Sequence, residues 1–127
     1  MKVLLVDDND DARFLLRKRI EGRRGFEIVG EAASGEQALE MVEVLSPELV
    51  IMDVKMPGIG GVEATRRIKE ISATTVVLAY SAYDDAEVVE SMRAAGATGY
   101  VLKDAPQSEL IMRLQDSSLG KTDPVSR

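Results

Sequence analysis

Acidic residues stand where apolar runs stop. Asp7 and Asp8 follow "KVLLV" (2–6), and Asp53 follows "ELVIM" (48–52) just before the Pro/Gly-rich "MPGIGG" (56–61). Ser81 comes shortly after "TVVLA" (75–79), and Lys103 ends "GYVLK" (99–103). Taken singly, an Asp after such a run is a turn residue or helix cap, and a Lys there is solvated. Taken together, they could do chemistry if the fold gathers them. Two carboxylates about 4 Å apart repel by roughly 4 kcal/mol at an effective dielectric near 20, so a gathered set needs a cation. The chain has no histidine and no cysteine. That excludes imidazole and thiolate ligands, disulfides, thiol nucleophiles and a Ser-His-Asp triad, and leaves oxygen as the only metal donor. A hydrated Mg²⁺ on one or two carboxylates plus a phosphate is the best chemical match; Mn²⁺ could substitute, and no EF-hand spacing for Ca²⁺ is present. A carboxylate, a metal, a hydroxyl and an ammonium are the parts needed to accept a phosphoryl group. A carboxylate oxygen would attack, the metal and Lys103 would balance charge on the equatorial oxygens, and Ser81 would donate a hydrogen bond to one of them.

The elements that must position these residues alternate regularly. Five short strands are expected at 2–6, 26–32, 48–52, 75–79 and 99–103, three of them nearly continuous in apolar residues, as in a parallel sheet covered on both faces. Between and after them lie stretches with helical spacing: Ala12, Leu15, Leu16 and Ile20; Ala38, Val42 and Leu45; Ala64, Ile68 and Ile71; Val88, Met92 and Ala95; and Leu110, Ile111 and Leu114. Gly96 is placed to end the fourth helix and Pro106 to start the fifth. The result is a flavodoxin-like (βα)₅ fold, a doubly wound parallel sheet in the order 2-1-3-4-5. Ligands on such sheets bind beyond the carboxyl ends of the strands where the order reverses, here between strands one and three. That edge carries Asp7, Asp8 and Asp53.

Composition limits the alternatives. The chain has 127 residues, 45% of them hydrophobic, which suits one domain with one core. Its net charge of −6 and pI near 4.7 argue against nucleic-acid binding by this segment alone. The only N-terminal apolar run is four residues long and runs straight into aspartates, so neither a signal peptide nor a membrane span is read and the chain is expected to be cytoplasmic. The domain is expected over 1–117. Residues 118–127, rich in Ser, Gly, Asp and Pro, read as a flexible tail or the start of a linker. The cluster Arg17, Lys18, Arg19, Arg23 and Arg24 reads as a solvated face.

Four motifs in order, "VDD" (6–8), "MDVKMPGIGG" (52–61), "YSAYDD" (80–85) and "GYVLKDAPQSEL" (99–110), each at a strand end, make the chain resemble the receiver domain of a two-component response regulator. "LKDAP" is more similar to the NarL/FixJ-like subgroup. The resemblance implies that Asp53 is the phosphoacceptor. It implies Asp8 as a direct Mg²⁺ ligand, Asp7 as one through water, and the main-chain carbonyl of Lys55 as a further ligand. Ser81 and Lys103 would contact the phosphoryl group, Tyr100 would be the aromatic switch residue, and the side chains of Lys55 and Tyr83 would tune phosphoryl lifetime. By the same resemblance the domain is not a classical enzyme; it catalyses its own phosphorylation and dephosphorylation. Its partners would be a sensor histidine kinase, docked on helix one, a second copy on phosphorylation, and DNA through a C-terminal helix-turn-helix domain that this sequence lacks. Many receivers follow the Lys with a cis Pro; here Asp104 follows, and a cis bond there would cost about 3–4 kcal/mol.

Phosphorylation is expected to draw Ser81 inward, move the loop after strand four and open space into which Tyr100 turns, changing the surface of the fourth helix, fifth strand and fifth helix. Three rival readings are distinguishable. A haloacid dehalogenase-type phosphatase needs a second acid two residues after the nucleophile, where this chain has Lys55. A flavodoxin-like nucleotide or flavin binder lacks support, because "GIGG" (58–61) is not G-x-G-x-x-G. A phosphorylation-independent interaction module on the same fold leaves no chemical mark in a sequence and stands as the main alternative.

Overall fold

The computed structural model describes residues 1–118. Its elements run β1 (Lys2–Val6), α1 (Asp10–Ile20), β2 (Glu27–Ala32), α2 (Gly35–Leu45), β3 (Leu49–Met52), α3 (Gly60–Ile71), β4 (Val76–Ser81), α4 (Ala86–Ala95), β5 (Gly99–Leu102) and α5 (Gln107–Ser118). All strand pairs are parallel, in the order β2-β1-β3-β4-β5. The expected strands fall within two residues of these bounds. β4 runs on to include Ser81, and β5 stops one residue before Lys103. Residue 118, expected to open the tail, lies in α5; the rest of the tail expectation lies outside the described residues.

The apolar continuity of β1, β3 and β4 follows from cover on both faces. Successive side chains point to opposite sides. Leu4, Val6, Val50, Met52, Val77 and Ala79 accordingly pack with Ala38, Val42, Ala64, Ile68 and Met92 from α2, α3 and α4. Their neighbours Val3, Leu5, Leu49, Ile51, Leu78 and Tyr80 pack with Leu16, Ile20, Leu110 and Leu114 from α1 and α5. Truncating a fully buried member such as Ile51 to alanine should cost about 2–5 kcal/mol. Two positions of the expected helical stripes, Leu15 and Ile71, are instead exposed, because each lies at the margin of its helix's inward face.

Caps fix where the loops at the strand ends begin. The Asn9 side chain accepts the Ala12 N–H at 2.8 Å and starts α1, so the cap is Asn9, with Asp10 and Asp11 in the first turn. Gly96, with φ 119°, ends α4 as expected; its amide bonds back to Arg93 and the next to Met92. Pro106 sits immediately before α5, and its carbonyl accepts from Glu109 and Leu110. Among the described residues no helix is long and apolar enough to cross a membrane.

Candidate functional site

The sheet register delivers the acidic rim. Val6 pairs with Met52, and the ladder continues one residue further, with Asp53 N–H donating to the Val6 carbonyl at 2.9 Å and Asp7 N–H to the Ala32 carbonyl at 3.1 Å. Asp7 and Asp53 thus leave adjacent strands at the same level. Asp8 joins them, and one carboxylate oxygen from each of the three lies within 4.8 Å of the others. Asp7 and Asp53 are buried, whereas Asp8 faces solvent. The loop after β3 turns away at once because Gly61 approaches the main chain closely: a Cβ there would stand 2.1 Å from the Asp53 carbonyl oxygen. A glycine is required at that point.

Lys103 supplies the missing positive charge. Its amide donates to the Ser81 carbonyl at 2.8 Å, extending the β4–β5 ladder past the strand end. Its ammonium lies 2.7 Å from Asp7 Oδ2 and 3.4 Å from Asp53 Oδ1. The described residues contain no cis peptide bond, so Asp104 follows Lys103 through an ordinary trans linkage. Burial pushes the Asp53 carboxyl up to about 6, with Asp7 adding to the rise; Lys103 and the Val54 N–H, which bonds Asp53 Oδ1 at 3.0 Å, pull the other way. Burial lowers the Lys103 ammonium, but the hydrogen bond to Asp7 and the charges of Asp53 and Asp7 outweigh it, so the group ends above its usual range. Both groups are ionised near neutral pH. A metal would meet Asp8 free in solvent, and Asp7 already engaged through Oδ1 with the Asn9 N–H at 2.9 Å and through Oδ2 with Lys103.

The remaining expected residues lie around this cluster. Ser81 is fully buried at the end of β4, where its hydroxyl accepts the Tyr83 N–H at 3.1 Å and is hydrogen-bonded with Tyr100. Lys55 and Tyr83 meet each other at the rim, with the Lys55 ammonium 4.0 Å from the centre of the Tyr83 ring. Tyr100 departs from expectation in one respect. Its ring is already buried in the α2/α3/α4 core and its hydroxyl donates to the Tyr83 carbonyl at 2.5 Å, so no loop movement is needed to admit it. Burial raises the Tyr100 hydroxyl above its usual range, with Asp85, Asp84 and Asp53 adding, while a hydrogen bond with Ser81 opposes this.

The arginines of α1 do more than their place in a basic stretch suggests. Arg13 donates to the Asp7 carbonyl at 2.5 Å and to Glu31 at 2.9 Å, bracing the acidic loop from behind. Arg17 pairs with the same Glu31. Arg19, assigned to a solvated face, reaches instead across to Tyr80 and the turn after β5. Position alone offered one clue: Arg13 falls one helical turn after the Asn9 cap. No sequence signal links Arg19 to residues more than sixty positions away.

Chemically, the rim can hold a hard divalent cation on oxygen and present a carboxylate beside a fixed ammonium and a buried hydroxyl. Known proteins place it in context. A model of the response regulator receiver domain matches residues 3–115. The response regulator GacA of Pseudomonas syringae pv. syringae is 37% identical over 115 residues, covering 91% of this chain and 54% of that protein. UvrY of Escherichia coli K12 is 34% identical over 121 residues, covering 95% and 56%. A crystal structure of a LuxR-family two-component response regulator from Aurantimonas sp. SI85-9A1 superposes with a TM-score of 0.91 at 32% identity, covering 96% of this chain and 87% of that one. This chain spans about half the length of the curated relatives it matches. With its five-stranded sheet in the order 2-1-3-4-5, it belongs to the response regulator receiver domain family of two-component signalling.

Proposed function

We propose that Asp53 accepts a phosphoryl group from a sensor histidine kinase, and that the domain thereby switches an output carried by the part of the full protein beyond this chain. The observation that carries this reading is the placement of a buried carboxylate 3.4 Å from a fixed ammonium, on a rim whose acidic groups converge. An Asp53 oxygen attacks phosphorus, the bond from phosphorus to the donor's nitrogen or oxygen breaks, and the donor leaves with that electron pair. Lys103 moves from pairing two carboxylates to balancing a phosphoryl oxygen. Ser81, already aligned by the Tyr83 N–H, donates to another. Attack of water on phosphorus later returns inorganic phosphate and the free carboxylate.

The oxygen-only donor set suits Mg²⁺. Asp8 and Asp53 would bind it directly with the Lys55 carbonyl, and Asp7 through water, since both Asp7 oxygens are already engaged. When bound, the ion would neutralise charge building on the transferring group. Lys55 and Tyr83, stacked at the rim, stand where they could limit access of water to the adduct. The link from Ser81 through the Tyr83 backbone to Tyr100 supports a switch of the α4, β5 and α5 surface in which the buried Tyr100 is held more firmly rather than newly admitted. A DNA-binding output, phosphorylation-dependent dimerisation and a cytoplasmic setting are part of the same proposal for the whole protein, in keeping with its membership of the response regulator receiver family.

Incubation with Mg²⁺ and a small phosphodonor, followed by intact mass, tests the reading. One base-labile phosphoryl adduct is expected, absent in Asp53→Asn. No adduct under any donor would return the chain to the phosphorylation-independent interaction module.

A further inference from the structure

Lys103 is useful to this site only if its main chain is held still, and the residue that holds it belongs to α1. Arg19 Nη1 donates to the Tyr80 hydroxyl at 2.7 Å and to the Lys103 carbonyl at 3.3 Å. Its Nη2 donates to the Ala105 carbonyl at 2.8 Å and its Nε to Gln107 Oε1 at 2.8 Å. Gln107 closes the ring by donating its amide to the Arg19 carbonyl at 2.9 Å. The Tyr80 hydroxyl itself lies 3.4 Å from the Lys103 carbonyl, and its ring is buried between the sheet and α1. One planar fork therefore gathers four acceptors, three along the β5–α5 connection and the Tyr80 hydroxyl from β4, a geometry that a lysine's single ammonium cannot reproduce.

This fixes Lys103 on both sides. Its N–H is tied to Ser81 and its carbonyl to Arg19 and Tyr80, so the side chain leaves the backbone in one direction, toward Asp7 and Asp53. We propose that Arg19 is a positioning residue that aims the Lys103 ammonium at the transferring phosphoryl group, with the Tyr80 hydroxyl as its accessory. The proposal rests on the phosphoacceptor reading above. Arg19 donates no proton to the reaction and touches no reacting atom; its effect passes entirely through Lys103.

A double-mutant cycle on the full chain tests it, using phosphoramidate and Mg²⁺ with adduct formation followed by mass. Arg19→Met should slow phosphorylation about tenfold or more, and Arg19→Lys nearly as much. In a Lys103→Ala background the same Arg19→Met change should alter the rate less than about twofold, because the lysine it positions is gone. Mg²⁺ affinity should stay within about twofold of wild type, which a general loss of structure would not allow. A second measurement needs no phosphorylation: the ¹⁵N ammonium signal of Lys103 in metal-free protein, assigned by its absence in Lys103→Ala, should be sharp in wild type and lost to rapid solvent exchange in Arg19→Met. If wild type accepts no phosphoryl group, the phosphoacceptor reading fails by itself and the ammonium signal alone decides whether Arg19 holds Lys103. Should Arg19→Met not fold, Tyr80→Phe serves, with a smaller slowing of about two- to fivefold that again disappears without Lys103. Full additivity in the cycle, or an unchanged Lys103 signal in Arg19→Met, overturns the proposal.

Discussion

Asp53→Asn should make the metal-free protein more stable, by an amount that depends on pH. The Asp53 carboxyl sits at about 6 in the folded chain against 3.8 for the free group, chiefly through burial and the nearby Asp7. The folded state therefore holds this proton more tightly than the unfolded chain does. The stability it contributes is fully present below about pH 4 and is lost as pH rises through about 6. Each pH unit of displacement is worth about 1.36 kcal/mol, so forcing the ionised carboxylate into the site costs roughly 3 kcal/mol at pH 8. An amide of the same shape avoids that cost. Urea unfolding of wild type and Asp53→Asn with chelator, at pH values from about 4 to 8, should show curves that nearly coincide at the acid end and separate by about 3 kcal/mol at the alkaline end, or roughly 10 °C in melting temperature. Mg²⁺ should close most of the gap at pH 8 by stabilising wild type. A gap independent of pH, or a variant less stable than wild type at pH 8 without metal, would refute the electrostatic account of this rim.

Other consequences are open to similar checks. Lys103→Ala leaves Asp7 and Asp53 buried without their counter-charge, so the metal-free protein should lose about 3 kcal/mol at pH 8 in thermal melts, with partial recovery on adding Mg²⁺. Gly61→Ala forces a methyl against the Asp53 carbonyl and should cost about 1–3 kcal/mol in denaturant titrations while slowing adduct formation, because the β3–α3 loop must shift. Tyr100→Phe removes the bond to the Tyr83 carbonyl; a loss of about 1 kcal/mol is expected, together with amide shifts confined to the β4–α4 segment. At limiting Mg²⁺, the rate of adduct formation should climb with pH through about 6 and then level off, since only the ionised Asp53 can attack.

Much of this was readable from residue order because the fold makes it so. Parallel strands covered on both faces leave continuous apolar runs, and the residue ending each run must lie on one rim, so Asp7, Asp53 and Lys103 could be gathered from strand order and spacing alone. The inward state of Tyr100 was not readable, since it depends on a main-chain carbonyl, that of Tyr83, which every residue possesses. Arg19 was misplaced for a related reason. Half of its acceptors are backbone oxygens in a turn brought beside α1 only by the packing of α5, and a cation within a basic stretch looks the same whether it faces water or a distant carbonyl. The Asn9 cap is legible in principle, since a short polar side chain one residue ahead of a helix is the usual cap.

Tyr80 and Tyr100 stand on neighbouring strands yet belong to opposite sides of the sheet, one packed under α1 and α5, the other under α4. Each hydroxyl touches main chain close to the reactive rim, at Lys103 and at Tyr83. An occupant of the rim that displaced the main chain at Lys103 or at Tyr83 would therefore press on a tyrosine on each flank, and a protein gripping either flank would press back through the same two contacts. A donor seated on one side and an output contact on the other would then need no shared side chain to influence each other.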